Sequence, residues 1–253
     1  MQDCVVVVSA YQKWLYFFKL IRLLRPRTRS LRGSRGATMT LSEKLQQESA
    51  VELGKFAVSP LISRLAVGTL DKERYEEFLN DLYHVVWHFC PIMALAASKC
   101  GDAYEGLRYF LYTRIEDEKG HERWVLEDCE AIGGAQFARG VKNGRPRPEI
   151  QGMISFNYWV CEREHPSGVL GMIYTLEAIA SRLAGRASAG VAKALGLSLN
   201  PPVGVKFLAT HGPMDNDHLR ELDEILKEID DQAGATVVNA LKLNFRLFGA
   251  AFG

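Results

Sequence analysis

The amino-acid sequence predicts an all-α fold, a single bundle of about seven helices. From Met39 onward, apolar residues recur at intervals of three and four residues, and Gly or Pro marks the breaks between such segments. No useful run alternates between apolar and polar residues, so strands are not expected. With 253 residues, of which 47% are hydrophobic and 24% charged, the chain is long enough to bury one sizeable core.

The helical periodicity divides the main part of the chain into seven segments. They are expected at residues 41–66, 71–99, 103–132, 148–164, 167–188, 203–229 and 234–251. Pro60 and Pro91 should bend the first two segments, because proline removes a backbone hydrogen bond and clashes with the preceding turn. Asp71 is suited to cap the second segment and Gly133 to end the third. Residues 141–149 are the clearest loop.

The first 38 residues differ from the rest of the sequence. They hold eight Lys or Arg and one acid, a net charge of +7, whereas residues 39–253 hold 23 basic and 29 acidic side chains, a net charge of −6. Lys13, Lys19 and Arg22 interrupt the apolar part of this extension, so it lacks the roughly 20 apolar residues of a membrane span. It is interpreted as a leader, a targeting segment, a mis-assigned start or an amphipathic membrane anchor, and residues 39–253 as the folded domain.

Charge and cysteine content narrow the class of protein. The mildly acidic main body does not predict a nucleic-acid-binding face. The five cysteines are widely spread without a Cys-x-x-Cys pair, which is typical of reduced thiols in a cytoplasmic protein. The sequence contains no Gly-x-Ser-x-Gly, P-loop or dinucleotide fingerprint, so the common hydrolase, NTPase and Rossmann classes are excluded.

Two of the predicted helices place histidines at helical spacing from carboxylates. Asp81, His84 and His88 are spaced by three and four residues and should share one face. Glu118 and His121 are three residues apart, the spacing by which one turn of helix presents a carboxylate and an imidazole to the same metal ion in ferritin-like bundles.

Two later helices carry further candidate ligands. Glu177 is the single acid of an otherwise apolar helix, where a buried carboxylate needs a compensating charge. The stretch "HGPMDNDH" places three candidates on one helical stripe: His211, Asp215 and His218. Pro213 lies inside this stripe and predicts a kink or break near Gly212.

Each candidate also has a purely structural interpretation. His84 or His88 alone could be a hydrogen-bonded core histidine, and Glu118 or Glu177 could pair with Arg114 or Arg182. The combination weighs against these interpretations, because five of the six histidines stand at helical spacing from a carboxylate. Several carboxylates and imidazoles together favour iron or manganese.

Taken in order, Glu118-x-x-His121, Glu177 and His211-x-x-x-Asp215-x-x-His218 resemble the haem-oxygenase-like diiron oxidases and oxygenases, often labelled iron-containing redox enzymes. The resemblance covers roughly residues 41–250. It implies a haem-oxygenase-like bundle akin to thiaminase II and pyrroloquinoline quinone synthase. It further implies two iron ions, or one, and O2 as co-substrate for the oxidation of a small organic molecule.

The resemblance also implies roles for individual residues. Glu118, His121 and His211 would bind one iron, Asp215 and His218 the other, and Glu177 would lie at or between them. The family usually supplies another Glu from the preceding helix, and here His84 stands near that position, so His84 or His88 is the alternative ligand.

Other features leave alternatives open. Four aromatic residues are candidates for the surroundings of the metal and its pocket: Tyr112, Tyr158, Trp159 and Tyr174. A metal-free member of the same fold would be a cofactor-independent oxidase or a thiaminase-like hydrolase with a Cys nucleophile. A haem or tetrapyrrole binder would use His84 or His88 as the axial ligand. Homodimerisation is compatible with the fold, and membrane contact is expected only through residues 1–38.

Overall fold

A computed structural model describes residues 39–252 of the chain, with the backbone alone described for residue 66 and residues 212–218. The basic extension at residues 1–38 lies outside the described residues. Within the described part the secondary structure is helical, and the only strand-like feature is an isolated bridge between Leu199 and Pro202. The predicted all-α fold is therefore confirmed.

The described chain forms a series of α-helices joined by short turns. These are α1 Leu41–Phe56, α2 Pro60–Val67, α3 Lys72–Lys99, α4 Glu105–Glu118, α5 His121–Asn143, α6 Pro148–Trp159, α7 Val169–Ile179, α8 Gly185–Leu195, α9 Lys206–Ile225 and α10 Asp231–Phe252. A π-helical turn at Val160–Glu164 extends α6, and another at Ala180–Ala184 joins α7 to α8.

Local capping explains where the first helices begin and end. Thr40 and Glu43 form a capping box at the start of α1. Ser59 caps α2 with Pro60 in its first turn, so Pro60 starts a second helix where the sequence predicted only a bend. Asp71 caps α3 as predicted, accepting a hydrogen bond from the Arg74 backbone N–H at 2.8 Å.

The prediction of one continuous third helix over residues 103–132 is wrong, because the helix is broken in its middle. Gly120 has φ of 92°, a left-handed conformation that suits glycine, and it separates α4 from α5. The second part ends at Gly133 as predicted, because Gly134 leaves the helical conformation with φ of 77° and ψ of 174°, and a further helical stretch then runs to Asn143. The Glu118-x-x-His121 motif therefore spans a junction between two helices and not one continuous turn.

The expected break near Gly212 is also wrong. The backbone is α-helical from Lys206 to Ile225, through Pro213. An internal proline costs about 3 kcal/mol of helix stability. We attribute the tolerance of this cost to tertiary packing, because α9 lies against α5, α7, α8 and the π-helical turn that joins the last two.

Tertiary packing places the elements that carry candidate ligands side by side. α3 contacts α4, α5 and α6, while α10 packs along α7, α1 and α6. Two clusters of buried apolar side chains fill the bundle, one extending from Leu45 to Phe245 in sequence and the other from Phe56 to Phe252. Among the residues that the structure describes, no helix has the length and apolar character needed to cross a membrane.

The contact between α7 and α10 predicts a strong effect at Gly171. A Cβ atom at this position would lie 2.5 Å from the Val237 carbonyl oxygen and 2.6 Å from the Leu241 backbone nitrogen. Backbone atoms cannot rotate away as a side chain can. Gly171→Ala should therefore lower the free energy of unfolding by about 1–3 kcal/mol. Gly54→Ala is the matched control, since nothing lies within 4 Å of its Cβ position, and it should stabilise α1 by about 0.5–1 kcal/mol. Urea unfolding of both variants would measure this, and equal stabilities would contradict the tight contact.

Candidate metal centre

Three of the predicted ligands converge inside the bundle. Glu118, His121 and His211 are buried, with 7%, 6% and 7% of their surfaces exposed, and one ligand atom of each lies within 4.8 Å of the others. His121 Nδ1 is 2.9 Å from Glu118 Oε2 and 3.2 Å from His211 Nε2. The described structure therefore brings together one carboxylate and two imidazoles that are up to 93 residues apart in the chain.

The junction between α4 and α5 builds one side of this cluster. Glu118 is the last residue of α4 and His121 the first of α5, with the left-handed Gly120 between them. Across this break the two side chains still meet, with His121 Nδ1 2.9 Å from Glu118 Oε2. His211 comes from α9, which packs against both α4 and α5.

The donor set and its spacing fit a metal ion. Two ligand atoms about 2.1 Å from one ion and at right angles to each other lie roughly 3.0 Å apart, close to the observed 2.9 and 3.2 Å. Two histidines and one carboxylate are also the ligand set of the non-haem iron(II) facial triad. The residues present therefore fit an iron ion.

The tautomer of His211 supports the same conclusion. His211 Nδ1 lies 3.0 Å from the Phe207 carbonyl oxygen, which can only accept a hydrogen bond, so Nδ1 carries the proton. In the neutral ring the lone pair is then on Nε2, the atom that faces His121. Metal-binding histidines are commonly oriented in this way by a carbonyl group behind them.

Electrostatics keep Glu118 ionised. Burial alone would raise its pKa, but the hydrogen bond with His121 and the attraction of Arg114 and of the imidazoles of His121 and His211, when these are protonated, outweigh burial, so the pKa of Glu118 lies below its ordinary value. At neutral pH, Glu118 therefore offers a charged oxygen to a cation.

Two aromatic rings that the sequence analysis did not single out hold the imidazoles in place. Trp124 stacks on His121 with ring centroids 4.1 Å apart and meets His211 edge-on at 5.8 Å. Phe207 stacks on His211 at 3.9 Å. Both rings stand three or four residues from the histidine they contact, so helical spacing could have indicated them.

Glu177 lies near the cluster with a different partner. Its Oε1 is 3.3 Å from Nη2 of Arg114, and both side chains are buried. Arg114 is one of the two arginines that were expected to pair with Glu177 if its role were only structural. Glu177 is not one of the three residues whose ligand atoms converge.

An apolar cavity of about 120 Å³ reaches the centre. Glu118, Glu177 and His211 are on its wall, which is otherwise built almost entirely of hydrophobic side chains such as Val85, Phe89 and Leu183. An engineered apolar cavity of about 150 Å³ stays dry and binds benzene, so this cavity has the size and surface to hold a small apolar group.

Comparison of the sequence with known protein families identifies one match. Residues 76–247 match the family model described as iron-containing redox enzyme. The chain belongs to this family. No curated protein matches the sequence significantly.

Solved structures place this iron-containing redox enzyme family member in the haem-oxygenase-like fold, as the sequence predicted. A domain of unknown function with that fold from Shewanella denitrificans is 23% identical, with 85% of this chain and 91% of that chain covered and a TM-score of 0.75. A TenA homologue from Pseudomonas syringae pv. tomato is 16% identical, with 87% and 97% covered and a TM-score of 0.70. A haem oxygenase from Leptospira interrogans is 18% identical, with 85% and 98% covered and a TM-score of 0.68. At these identities the similarity establishes the fold alone.

The remaining predicted ligands fall into two groups. The side chains of Asp215 and His218 lie outside the described residues. His84 and His88 line a separate cleft of about 440 Å³, next to Trp87 and residues 142–146, and they are not part of the described three-residue cluster. Where α3 lines the cavity at the centre, it presents apolar side chains such as Val85. A ligand from His84 or His88 stays a prediction.

The four aromatic candidates do not line the cavity in the described structure. Tyr112 and Trp159 are 51% and 50% exposed, because helix phase turns them away from the inward-facing residues of α4 and α6. Tyr174 is buried in the core beside Ser49, while Leu176 and Glu177 of the same helix face the cavity. The Tyr158 hydroxyl is 3.0 Å from His88 Nδ1. A role of Tyr112 or Tyr174 beside the metal stays a prediction.

Asp128 positions the helix that carries His211. Its two carboxylate oxygens accept hydrogen bonds from the backbone N–H groups of Lys206 and Phe207, at 2.7 and 2.9 Å, at the first turn of α9. Burial nevertheless raises the pKa of Asp128 to about 6.

This raised pKa predicts a pH dependence of stability. The folded state holds the Asp128 proton up to about pH 6, while the unfolded state, with the ordinary pKa of 3.8, releases it earlier. Raising the pH from 4 to 6 therefore favours unfolding, and the native protein should lose stability relative to Asp128→Asn over this range. Urea unfolding at a series of pH values measures the difference. Glu130→Gln, on the exposed face of α5, should leave the native profile unchanged, and a constant difference between native protein and Asp128→Asn would contradict the prediction.

Proposed function

We propose that this chain is a non-haem iron enzyme that uses O2 to oxidise a small, largely apolar organic substrate. The observation that carries the proposal is the buried cluster of Glu118, His121 and His211, two of whose members lie on the wall of an apolar cavity. Membership of the iron-containing redox enzyme family supports iron as the metal.

Each residue of the centre would have its own role. Glu118 Oε2, His121 Nδ1 and His211 Nε2 would hold the ion. Reduced iron supplies the binding and activation of O2. The Phe207 carbonyl keeps the proton of His211 on Nδ1, so that Nε2 remains a donor of its lone pair. Trp124 and Phe207 stack on the imidazoles and restrict their rotation.

The cavity supports an apolar substrate. Its hydrophobic wall excludes water, and the small volume favours a short chain or a single ring over a tetrapyrrole. Because Glu118 and His211 are part of the wall, a substrate in the cavity would lie beside two of the three ligands.

The proposal also concerns the number of metal ions in the centre. The described residues form one position, with Glu118, His121 and His211 around it. The family resemblance implies a second position with Asp215 and His218, and it puts Glu177 at or between the two positions. Glu177 supports this, since it lines the same cavity as Glu118 and His211.

No described feature favours the alternative functions. A thiaminase-like hydrolase needs a reactive thiolate, but burial raises the pKa of Cys129 and Cys161 to about 12 and that of Cys90 to about 11. A haem binder with His84 or His88 as axial ligand would have to use a cleft away from the cavity. The described cysteines are free thiols, which supports the expected cytoplasmic location.

Oxygen consumption by protein loaded with iron(II) without oxygen tests the proposal. We expect uptake to require iron and to rise when small straight-chain or aromatic acids and amines that fit the cavity are added. Glu118→Gln, which keeps the shape of the side chain but removes its charge, should abolish that rise. Equal uptake by the native protein and Glu118→Gln would contradict the proposed site.

A further inference from the structure

Arg114 is a fully enclosed cation beside the candidate centre. It is 1% exposed, and its Nη2 pairs with Glu177 Oε1 at 3.3 Å. Its Nη1 is 3.9 Å from carboxylate oxygens of Asp117 and Glu221, beyond hydrogen-bond distance. Among the described residues its Nε and Nη1 have no hydrogen-bond partner. A buried guanidinium with so few hydrogen bonds is costly and requires an explanation.

The surrounding charges supply that explanation. Glu118 and Glu177 are both buried, and both line the same cavity. Two carboxylates in such a place repel each other unless a cation offsets them. Arg114 pairs directly with Glu177 and also helps to lower the pKa of Glu118. Arg114 is therefore a counter-cation that the protein itself provides beside this pair of acids.

We propose that Arg114 competes with a second metal ion for Glu177, so that the native centre binds one divalent ion tightly and a second only weakly. This inference rests on the proposed metal-binding role of the centre. It makes Arg114 a positioning residue, which acts on the metal through Glu177. It also revises the expectation of two iron ions, because the guanidinium of Arg114 already supplies a positive charge beside Glu177.

The physical reason is that the Glu177 carboxylate cannot bind a metal ion and the Arg114 guanidinium at full strength at the same time. A second divalent ion at Glu177 would lie near the guanidinium, and like charges repel strongly where water is excluded. Binding of that ion must therefore weaken or break the ion pair between Arg114 and Glu177, which reduces its affinity by linkage. Arg114 cannot easily move to solvent, since it is enclosed and its guanidinium lies 5.9 Å from the Phe110 ring. The first position is less affected, because it has its own carboxylate and two imidazoles.

Cobalt(II) titration of metal-free protein, followed by absorbance and by metal content after equilibrium dialysis, tests the proposal without any activity assay. The native protein should bind one ion tightly. Arg114→Met should still bind the first ion tightly, and it should bind the second at least tenfold more tightly than the native protein does. Arg114→Lys keeps the charge and should behave like the native protein.

The ion pair of Arg147 with Asp81 provides a matched control. Arg147 Nε lies 2.6 Å from the fully buried Asp81 carboxylate, on α3 and the loop before α6. Arg147→Met also removes an arginine from a buried acid, but outside the three-residue centre, so the number of bound ions should not change. An equal change in Arg147→Met and Arg114→Met would overturn the proposal.

The double variant Arg114→Met with Glu177→Gln removes both charges and should fold, bind the first ion and not gain the second. Gain of a second ion by this variant would overturn the role of Glu177. If Arg114→Met folds only when cobalt is present, two ions per refolded chain support the proposal and one overturns it. Native protein with two equally tight ions, or a folded Arg114→Met unchanged from native, overturns this inference alone. Native protein that binds no ion overturns both this inference and the proposed function.

Discussion

Replacing His211 with alanine should weaken the binding of iron(II) by more than about 100-fold while the protein stays folded. Changes in groups that merely orient metal ligands typically cost 10–100-fold in affinity, and His211 is one of the three proposed ligands that converge in the structure, so its loss should cost more. The imidazole is buried between Phe207 and His121, so its removal leaves a small polar cavity and costs stability as well. Equilibrium dialysis against iron(II) in the absence of oxygen measures the affinity, and circular dichroism confirms the fold.

His88→Ala is the matched control for this prediction. It also removes a partly buried imidazole with one side-chain hydrogen bond, but from the cleft that contains His84 and Trp87. Its iron affinity should equal that of the native protein. If His88→Ala weakened binding as much as His211→Ala, the ligand set described above would be wrong.

Filling the apolar cavity should abolish the binding of small apolar molecules. Ala184 is buried on the cavity wall, in the π-helical turn between α7 and α8. Ala184→Phe places a ring in the space of about 120 Å³ that the cavity offers. Benzene should raise the melting temperature of the native protein, because a ligand that binds only the folded state stabilises it. It should have no such effect on Ala184→Phe.

The added ring itself should cost about 1–3 kcal/mol of stability, because side chains around the cavity must adjust. Ala235→Phe makes the same change at an exposed position of α10 and should keep both the native stability and the benzene effect. A benzene-induced shift that survives in Ala184→Phe would mean that apolar ligands bind elsewhere.

Local sequence rules predicted the fold well because they depend on neighbours in the chain. The periodicity of apolar residues gave the all-α class, and the Asp71 cap set the start of α3 within one residue. The rules were least accurate where glycine or proline had two allowed outcomes. Gly120 broke a helix that was expected to be continuous, and Pro60 started a helix that it was expected to bend.

The candidate site was predicted in part for a related reason. Glu118, His121 and His211 were identified from spacing and family resemblance, yet Glu118 and His121 meet across a helix junction that spacing alone cannot reveal. The partner of a buried charged side chain depends on how the helices pack, which the local sequence does not reveal. Arg114 could be named as a candidate partner of Glu177, but its complete burial beside Glu177 depends on how α4 packs in the bundle. The same holds for Tyr112, which helix phase turns to solvent.

Anomalous diffraction at the iron absorption edge, from crystals grown with iron(II) in the absence of oxygen, tests the central claim most directly. The proposed centre predicts a peak about 2.0–2.2 Å from Glu118 Oε2, His121 Nδ1 and His211 Nε2. An ordered Glu118–His121–His211 cluster without such a peak, or a peak beside His84 and His88 in place of it, would contradict the account.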